Sequence, residues 1–275
     1  MATSNMLNEH CVKTDLCSLG DILARVPAAY KVYGNTTLNF DHNNHADVVP
    51  RERPLIRYFG VGVQGFVNSD DGQLATPFLP SNREHGLYSP IPIRMVPVSE
   101  DLTDRSLYRM RVRKEINGVP YYCYYLKALT ALDTEVRITR TNPETQQEEP
   151  YIFSATDLKP TPSLPSTSGV QAATQSKVNV TYRMQLELLG SELLEVINIM
   201  FDGDQRRAKI SEYGLYSGED QIVQGFDADN HAFNYTEAIY AQMCYKICNI
   251  GNSLTTEADS IRRTYMFGDG NLILV

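Results

Sequence analysis

Residues 106–129, SLYRMRVRKEINGVPYYCYYLKAL, decide the fold class. Tyr108, Met110 and Val112 alternate with Arg109, Arg111 and Arg113, so an extended chain turns an apolar face one way and a cationic face the other. Asn117-Gly118 supplies two residues that tolerate positive φ, as a type I′ turn requires, and YYCYYL returns as the partner strand. The stretch predicts an antiparallel hairpin.

The neighbouring segments extend this β pattern. LIRYFGVGVQGF (55–66) carries aromatic and β-branched residues punctuated by Gly60, Gly62 and Gly65, the mark of a bent or bulged strand. The Pro- and Gly-rich residues that follow form a long structured loop ending in an edge strand at Ile91–Val98. TEVRITR and EEPYIF, joined through Asn142-Pro143, predict a second hairpin. Beyond residue 178, Leu186, Leu189, Leu193, Ile197 and Met200 recur at helical spacing and predict a core-facing helix. AKISEYGLYSG (208–218) alternates as a strand, FNYTEAIYAQMCYKICNI (233–250) fits either a helix or a long strand, and RRTYMFGDGNLILV (262–275) predicts a hairpin about Gly268-Asp269-Gly270.

These elements predict an α+β fold that is mainly β, with antiparallel, sandwich-like sheets, a few helices and extended arms. The organisation divides into an N-terminal arm (1–46), a β-rich domain (47–156), a Pro/Ser/Thr-rich linker (157–177), and a second α+β unit (178–275). The second unit either stands alone or completes the sheet of the first. In the arm, SLGDILARVPAAYKVYG predicts a short helix with Ser18 as N-cap and Asp21 in a capping box.

Composition bounds the function. The 275 residues are 42% hydrophobic, enough for a real core, and no run approaches the roughly 20 apolar residues that cross a bilayer. The polar N-terminus lacks the pattern of a secretory signal peptide, so a soluble product of the cytosol is expected, with no membrane partner. A net charge of −8 and a pI near 5.2 disfavour a general nucleic-acid binder. Five cysteines without paired CxxC spacing favour buried free thiols over a zinc site or disulfides.

Candidate chemistry is thin. Asp41, His42, His45 and Asp47 have the donor types for a weak metal site, although their Asn-rich setting fits a polar turn. FDADNHAF brings Asp227, Asp229 and His231 together, but the positions where an EF-hand needs Gly and Glu hold Ala232 and Ala238. GVGVQG has the spacing of a dinucleotide fingerprint without the helix that should follow it. No GxSxG surrounds any serine. Glu212, Glu219 and Asp220 in RRAKISEYGLYSGED (206–220) lack a base or nucleophile at motif spacing. Their neighbours Ile210, Tyr213, Leu215 and Tyr216 alternate as a packed strand. No cofactor is expected.

RAKISEYGLYSGED resembles a phrase of tailed-bacteriophage virion proteins, in which a strand of the form I-S/T-E-x-G-L-[YF] precedes a short turn. YFGVGVQGF and IPIRMVPVSEDLTDRSLYRMRVRKEINGVPYYCYYLKAL are similar to uncharacterised structural proteins of large myophages. The resemblance implies a virion building block of the baseplate, tail or neck, made in the host cytoplasm and packed in ring-like homo-oligomers with other virion proteins. No catalytic residues carry over. Arg109, Arg111, Arg113, Glu212, Tyr213 and Tyr216 are the expected contact residues, the arginines facing an acidic neighbour. A head-decoration protein is the nearest variant. The competing class is a carboxylate-dependent hydrolase using Glu212, Asp220, Asp227 or Asp229.

Overall fold

In a computed structural model of the chain, residues 10–15, 17–18, 55–68, 75–100, 107–142, 145–152, 175–226, 230–252, 256 and 259–274 are described. The hairpin expected from the alternation is present as β7 (Tyr108–Ile116) and β8 (Val119–Ala128), paired from Tyr108↔Lys127 to Ile116↔Val119. Its turn has φ 52° at Asn117 and 78° at Gly118, the positive pair that the Asn-Gly dipeptide accommodates. The fold is mainly β and antiparallel; the α-helix described over its full length is α1 (Gly190–Met200).

Two compact units interleave along the sequence, one formed by residues 1–129 and 186–262, the other by 130–185 and 263–275. The chain passes between them at residues 129–130, 185–186 and 262–263, and the predicted linker, 157–177, lies up to residue 174 outside those described. The reason is hydrogen bonding. In the larger unit the central strand β12 (Ile210–Phe226) pairs on one side with β2 (Leu55–Gly62) and on the other with β13 (Ala232–Asn252). Strands from both ends of the chain therefore share one sheet.

That sheet runs in the order β1 (His10–Lys13), β13, β12, β2, β8, β6 (Arg94–Pro97), with β5 (Pro90–Ile91) on β2 and β7 on β8. The edge strand predicted at Ile91–Val98 is thus two short pieces, divided where Ile93 donates its N–H to the Tyr124 carbonyl at 2.8 Å. A small hairpin of β3 (Phe66–Asn68) and β4 (Ala75–Pro77) is also present. On one side of the sheet, Val196, Ile199 and Met200 of α1 join a core of Tyr58, Met95, Cys123, Leu126, Tyr216 and Met243. Burying such side chains supplies about 1.5–3 kcal/mol each against the chain entropy that folding removes.

Of the two readings open for FNYTEAIYAQMCYKICNI the strand is the one found, because it pairs with β12 along its length. Other sequence expectations are corrected. The helix begins at Gly190; Leu186 and Leu189 belong instead to β11 (Gln175–Leu189), which alternates as a strand. Residues 260–274 form one strand, β14 (Ser260–Leu274), without the hairpin at Gly268-Asp269-Gly270, because β14 pairs along β11. The first helical turn of the N-terminal segment is capped by Thr14 and not by Ser18: Cys17 N–H donates to Thr14 Oγ1 at 3.2 Å, and Ser18 N–H to the Thr14 carbonyl. The rest of the predicted arm helix, from residue 19, lies outside the described residues.

The smaller unit is built on a four-stranded sheet, ordered β10 (Glu148–Pro150), β9 (Thr130–Thr141), β11, β14. Its β9–β10 pairing is the second hairpin expected from the sequence, with Pro143 and Glu144 outside the described residues.

Candidate functional site

The predicted carboxylates have structural occupations. Glu212 sits opposite Gly62 in the β12–β2 ladder and is fully buried. Its Oε1 accepts the N–H groups of Gln64 at 2.8 Å and Ser89 at 3.1 Å, and its Oε2 accepts that of Tyr88 at 2.5 Å. One side chain thereby fastens two loops to the central strand. The glycines of GVGVQG serve this clamp: a Cβ on Gly62 would lie 2.8 Å from Glu212 Oε1, and one on Gly65 would collide with the Ser211 carbonyl. The fingerprint-like spacing is thus a packing requirement of backbones in close approach.

Asp220 closes a second knot. Arg109 Nε and Nη2 donate to its two oxygens at 2.7 and 3.0 Å, and Tyr58 Oη donates to Oδ1 at 2.6 Å. Burial alone would raise the Asp220 carboxyl, but the Arg109 and Tyr58 hydrogen bonds and the guanidinium charge outweigh it and hold it below the usual range. Next to this knot, Met110 adopts φ 60° within a strand, a conformation that costs a residue other than glycine roughly 1–2 kcal/mol. Glu237 supports it by accepting the N–H groups of Met110 at 2.6 Å and Arg111 at 3.1 Å. Burial raises the Glu237 carboxyl despite those backbone donors.

A third knot fixes the helix. Glu192, in the first turn of α1, accepts Lys127 Nζ on both oxygens at 2.8 and 2.9 Å, the Tyr108 hydroxyl on Oε1, and the Leu189 N–H on Oε2 at 2.9 Å. All these groups except Leu189 are buried. On the sheet's other wing, the buried Lys246 ammonium pairs with Glu84 at 3.0 Å and lies over the Tyr88 ring.

The residues expected to meet neighbouring subunits are therefore distributed differently from the prediction. Glu212, Tyr213 and Tyr216 are interior and have no surface to offer a neighbour. The short turn that the resemblance sets after the strand of RAKISEYGLYSGED is not there; from Ile210 onward the segment is the middle strand of a sheet, paired on both edges from Glu212 to Gly218. The three arginines form no uniform face. Arg109 is buried against Asp220, Arg111 lies between the Tyr122 and Tyr235 rings at 4.5 and 4.4 Å, and Arg113 alone is exposed. Met110, at φ 60°, interrupts the extended backbone between Arg109 and Arg111, so simple alternation does not keep the three in one row. Asp41, His42, His45, Asp47, Asp227 and Asp229 lie outside the described residues. Among the described residues no group of three or more His, Cys, Asp or Glu is arranged to hold a metal ion, and no helix is long and apolar enough to cross a membrane.

The surface that sequence reasoning missed is on the four-stranded sheet. In β11 the even positions Val180, Tyr182, Met184, Leu186 and Leu188 are apolar. Met184, Leu186 and Leu188 are buried, yet the same stripe emerges at Val180, 40% exposed. Val180 pairs with Val136 of β9, which is 62% exposed, and Tyr182 pairs with Thr134. The opposite face holds two ion pairs: Asp133 pairs with Arg183 across the strands, and Glu135 with Arg137 along β9. The polar face is the solvated one, and the apolar face is left uncovered at its Val136–Val180 end. The signal was the period-two alternation of QSKVNVTYRMQLELL, whose leucines also satisfy a helical spacing.

The molecule thus offers internal polar knots and an uncovered apolar sheet face. Comparison with curated proteins and with solved structures finds no match. A family of unknown function, DUF7208, matches over residues 1–275, and the chain belongs to that family.

Proposed function

We propose that the chain is a structural component of a tailed-bacteriophage particle, in the baseplate, tail or neck, working by subunit packing with other virion proteins and with copies of itself. The observation that carries the proposal is the exposed apolar pair Val136 and Val180, on a sheet whose Asp133–Arg183 and Glu135–Arg137 pairs lie on its other side. Apolar sheet surface left in water is a liability that burial against a partner removes. The resemblance of the 58–66, 91–129 and 207–220 stretches to virion proteins supplies the setting. The polar knots suit the same role: the Glu212, Asp220 and Glu192 carboxylates each fix one part of the backbone or one strand to another, which stiffens a part that has to hold its shape under load.

Quantitative mass spectrometry of gradient-purified particles tests the setting, with chemical cross-linking to identify the neighbours. The protein should co-purify in a fixed stoichiometry, with cross-links from the smaller unit to other chains. Absence from particles of a phage that encodes the chain would end the virion assignment.

A further inference from the structure

We propose that Arg111 and Arg113 form a receptor for a carboxylate-bearing segment of a neighbouring protein chain, with Tyr122 and Tyr235 holding the first guanidinium ready for it. This rests on the proposal that the chain works by subunit packing, and it names a surface and the chemistry of its occupant.

Three strands of the larger unit build the site. The Arg111 guanidinium of β7 lies 4.5 Å from the centre of the Tyr122 ring of β8 and 4.4 Å from that of Tyr235 of β13. Its Nη2 donates to the Tyr235 hydroxyl at 3.2 Å. Two aromatic faces attract the cation and restrict its rotation. The backbone beneath it is fixed as well, because the Arg111 N–H donates to Glu237. Arg113, two residues further along β7, is the cross-strand partner of Tyr122 and is exposed. Phe233 extends the aromatic surface, its ring 5.8 Å from that of Tyr235. Arg111, Tyr122, Tyr235 and Phe233 are all half-buried.

Arg111 stands apart from other arginines of the chain in what it lacks. Arg94, Arg109, Arg183 and Arg262 each reach a carboxylate of their own chain. Neither Arg111 nor Arg113 has a carboxylate within ion-pair distance among the described residues; Glu115, the next acid along β7, is exposed and pairs with neither. A guanidinium whose faces are taken by rings offers its N–H edge, and that edge matches a planar oxyanion through two parallel bonds. Its preset orientation removes part of the ordering cost that a free arginine meets on binding. Arginine and tyrosine together are also the composition of the energetic centre of protein interfaces. Nucleic acid would offer phosphates instead, but it is held by a row of cations. This site has two, Lys114 lies over the Tyr125 ring, and the chain carries a net charge of −8. A carboxylate from a protein neighbour is the better match.

Fluorescence anisotropy of a labelled hexaglutamate peptide, titrated with the full chain at about 150 mM salt, reads the outcome. Binding should saturate with a Kd on the order of 10–100 µM. Arg111→Gln should weaken it by about 10-fold or more with an unchanged circular dichroism spectrum, and Arg111→Lys should not restore it, because an ammonium lacks the planar edge. Tyr235→Leu keeps both cations, removes one face of the clamp and should weaken binding by about 3-fold or more. Arg113→Glu alters an exposed side chain and leaves the fold intact, so its loss of binding reads the site even where a change at Arg111 disturbs folding. Arg206→Gln, at an exposed arginine elsewhere in the same unit, should bind as the wild type does.

No binding at about 1 mM chain would overturn the receptor. So would binding that Arg111→Gln or Arg113→Glu leaves as tight as in the wild type, which would place the peptide elsewhere. An Arg111→Lys or Tyr235→Leu variant as tight as the wild type would reduce the site to bare charge and also overturn it. Labelled oligothymidylate bound through Arg111 more tightly than hexaglutamate would replace the carboxylate by a phosphate, against the proposal. Particle content distinguishes this reading from the one it rests on: Arg111-dependent binding by a chain missing from virions removes only the virion setting, and a chain found in virions without such binding removes only the receptor.

Discussion

Replacing Glu212 with glutamine keeps the shape of the side chain and changes only what it can accept. In the wild type its two oxygens take three backbone N–H groups, from Gln64, Tyr88 and Ser89. Glutamine has one acceptor oxygen. If that oxygen keeps the two donors on the Oε1 side, its NH₂ group points at the Tyr88 N–H, which is left without a partner. An unsatisfied buried donor costs about 1–3 kcal/mol, and turning two charge-assisted bonds into neutral ones removes about 1 kcal/mol each. Relief from burying a charge offsets part of this, so the net loss is about 2–4 kcal/mol. For a cooperative unit of this size that is a fall in Tm of roughly 4–16 °C. Differential scanning fluorimetry measures the fall, and amide hydrogen exchange locates it: protection should drop first at Gln64, Tyr88 and Ser89. A Tm within about 2 °C of the wild type, with those amides still protected, would refute the clamp.

Lys127→Met should cost about 3–5 kcal/mol by urea denaturation, because it leaves Glu192 buried against Tyr108 without its cation; adding Glu192→Leu should restore part of that loss, and a double variant weaker than the single one would contradict this account. Two carboxyls have opposite pH signs. The lowered Asp220 stabilises the fold above the unfolded carboxyl range and loses that contribution as pH falls through its folded value, whereas the raised Glu237 stabilises at low pH and loses its contribution as pH rises through its folded value. Asp220→Asn should therefore flatten the acid limb of a Tm-against-pH curve and Glu237→Gln the limb above it; identical curves for wild type and both variants would dismiss the assignment. Iodoacetamide at pH 8 should label Cys11 in the native protein and spare Cys123 and Cys248, whose thiols burial pushes up to about 11 and about 12, with the Glu212 charge adding to the second. Intact mass of the native protein checks this, and rapid labelling of either buried thiol would oppose it.

Local chemistry was legible in the sequence, and distant partnership was not. The Asn117-Gly118 turn and its flanking strands follow from neighbours along the chain, and they appear where the alternation puts them. In β13, residues 240–244 are buried on both faces, which erases the period-two pattern and leaves strand and helix equally compatible. Leu186 and Leu189 satisfy a helical spacing and a strand alternation at once, so the boundary at Gly190 depended on pairing with β9 and β14. Gly268-Asp269-Gly270 carries a turn signal that the β11 ladder overrides. The burial of Arg109 depends on Asp220, 111 positions away, and a row of arginines cannot reveal which member has such a partner.

The central position of β12 also governs how the molecule is made. Gln64 and Glu212 are 148 residues apart, and Thr14 meets Met243 across 229. At about 5–20 residues per second, a ribosome that has delivered β2 needs on the order of ten seconds more to deliver the strand that completes its edge. During that interval β2 presents an unpaired edge to everything around it, and closing the sheet afterwards is a non-local, slow step. A nascent chain of this kind is a natural client for chaperones. Cutting it after residue 156 would yield a sheet without its middle strand, a fragment prone to aggregation.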